Sequence, residues 1–363
     1  MVNRKFAQVI ADSSSIDDYI WVHDYHLLLV ARELSSIGVE RQVGFFLHTP
    51  FPSLDIFMKL PWRSEILRAL LEYDLIGFQT MRDRNNFINC AQTIIRSLRL
   101  DARRQISIIV TPSREIRVGV FPISIDFNEF TRLAADKAVS DRVEELRQAM
   151  PNCQIILGVD RLDYTKGIPL RLQSFNNVLE RFEDLRGKIA LIQIVVPSRE
   201  EVPEYQNLKA EIEGLVSDIN GRFGEPGWTP VQYMFRAFER SDLLAYYRAA
   251  SIALITPIKN GMNLIAKEYC ATNIDNDGVL ILSEFAGAAT QLRRNALLVN
   301  PYDIEGVANA IHRAHGMGID ERKDRMRRLR NSIRKRDIYW WVAQFFRAAS
   351  AGESGNSLAL NLL

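Results

Sequence analysis

Cysteine is scarce in this 363-residue chain: there are three, Cys90, Cys153 and Cys270. Odd in number and far apart, they argue against a disulfide framework or a zinc ribbon and for a reducing compartment, the cytoplasm. Long apolar runs are missing too. No stretch reaches the roughly 18 residues that span a bilayer, so no membrane partner is expected. The charged N-terminus, MVNRKFAQVIADSSS, lacks the apolar centre of a signal peptide. Charge of one sign is equally absent, since 46 Lys+Arg against 44 Asp+Glu leave a net +2. That balance gives no electrostatic case for a nucleic-acid partner. The chain has no GxGxxG after a strand, no GxxxxGK[ST] and no GxSxG. Dinucleotide dehydrogenases, P-loop NTPases and α/β-hydrolases are disfavoured accordingly.

What is present is an ordinary globular composition, 47% hydrophobic and 25% charged, at a length that suggests two domains. Short apolar runs recur at 19–24, 41–48, 73–79, 106–110 and 116–123, then at 153–160, 189–196, 230–235, 251–257, 278–283 and 296–301. Amphipathic segments fall at 80–98, 127–149, 168–184, 201–221, 240–250 and 303–315. Val- and Ile-rich strands separated by helices predict an α/β fold of buried parallel sheets, two Rossmann-like lobes facing a cleft. The expected division is 1–127 for the first lobe and 128–335 for the second. An aromatic helix at 336–350 packs back across the lobes, and 351–363 is a mobile tail. The first lobe offers only four or five strands and starts inside a helix. It is therefore expected to be incomplete, with exposed apolar surface that favours a homo-oligomer.

Ligands of such sheets bind beyond the carboxyl ends of the strands, which directs attention to five polar clusters. In VDRLDYTKG (159–167), Arg161 and Lys166 are placed either to neutralise a diphosphate or to sit as two solvated charges. In NGMNLIAKE (260–268), Gly261 precedes a helix start, so the amides of Met262, Asn263 and Leu264 can point at an anion. Glu268, one turn on, is suited to ribose hydroxyls. The plainer alternative is a capped helix with Glu268 on the surface or paired near Lys267. His48 and Asp24 are the acid–base candidates of the first lobe. His23 and His26 flank Asp24, yet a third ligand is lacking and no metal is expected. DND (275–277) reads as a plain turn rather than a metal-binding carboxylate pair.

The segments WVHDYHLL (21–28), GFFLHTPFP (44–52), LIGFQT (75–80), VDRLDYTKGIP (159–169), GWTPVQYM (227–234), NGMNLIAKEY (260–269) and SEFAGAA (283–289) resemble the trehalose-6-phosphate synthase family, in order and from about residue 2 to about 349. The resemblance implies a retaining, metal-independent glycosyltransferase of GT-B type without cofactors. Its partners would be UDP-glucose and a sugar-phosphate acceptor, glucose 6-phosphate. By position, Arg161 and Lys166 match the pair on the donor diphosphate. Asn260, Gly261, Met262, Asn263, Leu264, Ile265, Ala266, Lys267 and Glu268 match the donor segment, and Phe238 a nucleotide-contacting position. Asp24 and Arg199 match acceptor-side positions, with Arg199 toward the acceptor phosphate, and His48 a histidine near the donor sugar. Two departures accompany the match. The family pattern begins with a strand, a glycine loop and acceptor-binding residues upstream of this chain's start, and it usually reads Asp where this chain has Asn260. They keep two alternatives in view: a sibling synthase making glucosylglycerol phosphate, and a shortened, non-catalytic sugar-nucleotide-binding protein.

Overall fold

The computed structural model describes residues 1–101 and 106–351; the expected tail, apart from Ala351, lies outside the described residues. The chain divides into two units, Met1–Ile123 together with Tyr339 onward, and Ser124–Ile338.

The first unit holds β1 (Ile20–His23), β2 (Val43–Leu47), β3 (Leu75–Phe78), β4 (Arg99–Asp101), β5 (Ile106–Val110) and β6 (Glu115–Val120), ordered β1-β2-β3-β6-β5-β4. Its helices are α1 (Val2–Ser13), α2 (Val30–Ser36), α3 (Leu54–Phe57), α4 (Arg63–Leu70) and α5 (Met81–Ile94). β2 and β3 are buried on both faces, as strands of a covered parallel sheet must be. The expectation of parallel sheets fails for the far edge, where β4–β5 and β5–β6 pair antiparallel. The four residues 111–114 are too few for a crossover, and Thr111 closes them into a turn by donating its N–H to Arg114 O at 2.9 Å. β5 accordingly alternates between buried and half-buried positions instead of being apolar throughout.

The last described helix, Ile338–Ser350, lies almost wholly in this first unit. Phe345 stacks on Trp21 with centroids 4.3 Å apart, and the Trp341 indole donates to Phe121 O at 3.0 Å. Gly77 makes the seat: a Cβ there would come within 2.8–3.0 Å of the Phe46, Phe345 and Phe121 rings. Each buried aromatic ring contributes about 2–3 kcal/mol.

The second unit is a fully parallel sheet, β12-β11-β10-β7-β8-β9, built from β7 (Gln154–Arg161), β8 (Ile189–Val196), β9 (Val231–Phe235), β10 (Ile252–Ile255), β11 (Val279–Ser283) and β12 (Leu297–Val299). Around it run α6 (Phe127–Ala134), α7 (Lys137–Gln148), α8 (Ile168–Arg181), α9 (Pro203–Phe223), α10 (Arg240–Ala249), α11 (Leu264–Thr272), α12 (Ala289–Leu292), α13 (Ile304–His315) and α14 (Ile319–Lys335). Two apolar clusters, one on each face, fill the layers. The single helix expected over 127–149 is two helices, because Asp136 takes an extended backbone between α6 and α7. The strand order reverses between β7 and β10, so the loops after those two strands flank the point where ligands of open α/β sheets bind. Among the described residues no helix is long and apolar enough to cross a membrane.

Candidate active site

Arg161 is the last residue of β7, exposed, and Lys166 ends a 3-10 turn, Tyr164–Lys166, that leads into α8. Asp163 shapes the turn by accepting from both the Thr165 N–H (2.9 Å) and its hydroxyl (2.7 Å). Thr165 O then accepts from the N–H groups of Ile258 (3.0 Å) and Lys259 (3.2 Å), stitching this loop to the one after β10. Gly167 permits that closeness. It has φ +65°, and a Cβ on it would sit 2.8 Å from Thr256 O.

Beneath the loop lies a residue that sequence reasoning missed. Arg171 is fully buried and donates to Asp160 Oδ2 (2.6 Å), Gln193 Oε1 (3.1 Å), Thr256 Oγ1 (3.1 Å) and Lys166 O (3.4 Å). One guanidinium thus ties the end of β7 and the middle of β8 to the segment after β10 and to the Lys166 backbone. Burial pushes the Asp160 carboxyl up, and the Arg171 charge opposes it. The available signal was an arginine on the apolar face of IPLRLQSF.

The 260–268 segment is held from its other side. Asn260 O accepts from Gly287 N at 2.9 Å, joining it to the FAGAA loop. Asn263 adopts φ +60°, and its side chain accepts from Ala266 N at 3.2 Å as the cap of α11. The first-turn amides therefore lie two residues further on than the set 262–264. The first-turn donors along its axis are Leu264 and Ile265, with the Ala266 N–H given to the cap. Gly261 is buried and Met262 half-buried. The side chains of Ala266 and Lys267 are fully buried, so there the segment offers a ligand no more than backbone. Lys267 Nζ donates to Gln291 Oε1 at 2.8 Å, and burial, then the charge of Arg336, brings its pKa down to about 7. Glu268 is half-buried and accepts from the Tyr247 hydroxyl at 3.0 Å rather than pairing with its neighbour; burial raises its pKa. Tyr247 is the second anchor that the sequence did not reveal.

Arg199 follows β8 on an exposed loop with φ +51°, a conformation a non-glycine residue adopts only when its surroundings demand it. It donates to the Tyr205 hydroxyl at 3.0 Å. Phe238 is half-buried, edge-on to Tyr246 and covered by the Arg236 guanidinium 4.4 Å above its ring. The DND segment is a turn whose acids face arginines: Asp275 pairs with Arg248 at 3.1 Å, and Asp277 lies 3.9 Å from Arg147.

In the first unit, β1 and β2 bring His23 Nδ1 to 3.0 Å from His48 Nε2, while His26 lies in the following turn. Burial, then the His48 charge, lowers the pKa of His23 to about 4; burial likewise lowers that of His48. Both rings are thus neutral at pH 7, and one donates to the other. Asp24 next to them has φ +68°, and its Oδ1 is buried without a hydrogen-bond partner among the described residues. His23, which the sequence suggested only as a weak metal ligand, is the residue that orients His48.

Residues 1–351 match the model of a family described as glycosyltransferase family 20. The trehalose-6-phosphate synthase of Mycobacterium avium (strain 104) is 41% identical over 359 residues, covering 98% of this chain and 72% of that protein. An α,α-trehalose-phosphate synthase (UDP-forming) from Burkholderia xenovorans, solved in complex with glucose-6-phosphate, superposes with a TM-score of 0.91 at 38% identity, over 96% of this chain and 76% of the other. A structure described as trehalose-6-phosphate from E. coli bound with UDP-2-fluoro glucose gives 0.90 at 39% identity, again over 96% and 76%.

Proposed function

This chain belongs to glycosyltransferase family 20, and from that premise we infer that it is a UDP-forming trehalose-6-phosphate synthase. It moves glucose from UDP-glucose to glucose 6-phosphate with retained configuration, releasing UDP and trehalose 6-phosphate. The observation that carries the reading is the pair of stitched loops at the switch point of the second sheet. One presents Arg161 and Lys166, and the other the start of α11.

The proposed roles follow from charge. As the bond from the sugar C1 to the diphosphate oxygen breaks, that oxygen keeps the electron pair. Arg161, Lys166 and the Leu264 and Ile265 amides are arranged to receive the negative charge, with the positive end of the α11 dipole behind them. The acceptor hydroxyl attacks from the face the diphosphate leaves, and its proton passes to the departing phosphate oxygen. No side-chain nucleophile is required; positioning and charge stabilisation supply the rate. Glu268, fixed by Tyr247, accepts from the ribose hydroxyls, Phe238 lies along the base, and Arg199 receives the acceptor phosphate. Asp24 and His48 act on the sugar hydroxyls.

Asn260, in place of the family's usual aspartate, favours a second reading: a chain that binds sugar nucleotide without efficient turnover, or uses another phosphorylated acceptor. UDP release from UDP-glucose, measured with glucose 6-phosphate and with glycerol 3-phosphate in separate assays, decides between them. Release dependent on glucose 6-phosphate is the expected result. Arg161→Ala is expected to lower it by about a hundredfold or more, the scale of losing one charge-stabilising donor. Near-normal turnover in that variant would remove Arg161 from the mechanism.

A further inference from the structure

Away from the donor loops, at the opposite end of α11, three elements of the second unit border an open cavity of about 310 Å³, with Arg327 and Arg334 exposed at its rim. Its cationic wall is one face of α14, carrying Arg327, Arg330 and Arg334 at successive-turn spacing. Facing them are Asn128 and Thr131 of α6 and Asn276 of the turn before β11. Among the described residues no carboxylate lines it.

The neighbouring arginines of α14 show what is unusual here. Arg325 pairs with Glu321 at 2.7 Å, Arg328 pairs with Asp324 at 3.0 Å, and Arg322 donates to the Met317, Ala314 and His315 carbonyls. Arg327 has no ion pair among the described residues, and Arg334 reaches only the Asn331 side-chain amide, at 3.4 Å. Arg330 is anchored between them. It donates to Cys270 O at 2.9 Å and to Ala271 O, the last carbonyls of α11, and lies 5.2 Å over the Phe127 ring. Thr131 donates to the same Ala271 carbonyl at 3.2 Å. Like charges one turn apart repel, Arg330 standing one turn from each of the exposed Arg327 and Arg334, and an anion seated among them lowers that repulsion. The Asn128 amide, and the one Asn276 side-chain N–H not given to Ile274 O (3.0 Å), add neutral donors opposite the guanidiniums, the combination that recognises phosphate oxygens.

We propose that this cavity is a second ligand site, which takes the phosphate group of a small phosphate monoester between Arg327 and Arg334, with Asn128 opposite. It is separate from the donor loops, which lie at the other end of α11, and it serves binding, not transfer.

Phenylglyoxal labelling of the full chain, read residue by residue by mass spectrometry with and without inorganic phosphate, tests it in a way that ignores phosphate bound elsewhere. Phosphate is expected to slow modification of Arg327 and Arg334 by about tenfold, the effect of roughly 1.4 kcal/mol of binding. Arg328 on the same helix is expected to react at an unchanged rate, and chloride at equal ionic strength to protect none of the three. Asn128→Asp, which puts a carboxylate into the cavity and leaves α14 untouched, is expected to abolish the protection while UDP binding stays intact. Equal labelling with and without phosphate, or protection that survives in Asn128→Asp, would overturn the proposal.

Discussion

Lys267 carries its ammonium into a fully buried position of α11, where Gln291 Oε1 accepts from it and Arg336 adds a second positive charge nearby. Its folded pKa, about 7, lies below the unfolded value of 10.5. Between those values the unfolded chain binds more protons than the native one, so stability rises with pH across that window; below pH 7 the full penalty is present. Replacing the lysine removes the dependence. We expect the stability advantage of Lys267→Met over the parent chain to be greatest at and below pH 7, shrinking by up to about 1.4 kcal/mol per pH unit above it. Urea unfolding of both chains at pH 7 and pH 9.5 measures this; parallel slopes would show that Lys267 stays charged throughout. The residue also marks where sequence reading stops. Arg161, Lys166 and Glu268 were legible because each sits in a loop or helix start whose position relative to a strand can be read off. The inward turn of Lys267 was not, because a lysine at the fourth residue of a helix looks the same whether it faces solvent or core. Arg171, Tyr247 and His23 escaped for a related reason: each acts through another residue, and contacts between distant segments leave no local pattern.

At the scale of elements, eleven apolar runs all became strands, and the one missed, β4, is a three-residue edge strand with two exposed positions. Periodicity finds strands that are buried and cannot find one that is not. Direction was the weaker inference, since Val- and Ile-rich runs suggest parallel pairing, and only the short 111–114 link betrays the hairpin. The loops of the candidate site depend on backbone more than on side chains, and Gly167 shows it. Gly167→Ala must hold an L-residue at φ +65° and push against Thr256 O. The expected cost is about 1–3 kcal/mol of stability, with UDP affinity reduced about tenfold as the Lys166 turn separates from the loop after β10. Gly187→Ala is the matched control: φ is +75°, but nothing lies within 4 Å of the added Cβ. Denaturant titration and UDP calorimetry on both variants separate the two effects. A Gly167→Ala chain that binds UDP as tightly as the parent would show that the stitch does not set the donor site.

At the scale of the whole molecule, the two units differ in how the chain builds them. The second is one continuous stretch, Ser124–Ile338, with its own sheet covered on both faces. The first is closed by residues from the far end of the chain. Trp341 and Phe345 lie against Trp21, Phe46 and Phe121 over the Gly77 seat, and Arg117 donates to Ala348 O at 2.7 Å. Removing them exposes a ring-lined sheet face whose burial contributes about 2–3 kcal/mol per ring, a large share of the 5–15 kcal/mol that holds a typical domain. A chain ending at Ile338 is therefore expected to have a first unit that is cut rapidly by protease, while Ser124–Ile338 survives as a resistant fragment. UDP affinity should stay within about threefold of the parent, because the loops carrying Arg161, Lys166 and the start of α11 all belong to the second unit; transfer to glucose 6-phosphate should be lost. Limited proteolysis followed by UDP calorimetry reads both quantities from one preparation. Loss of UDP binding together with the first unit would mean that the donor loops rely on contacts outside their own sheet, and that donor binding is not a property of the second unit alone.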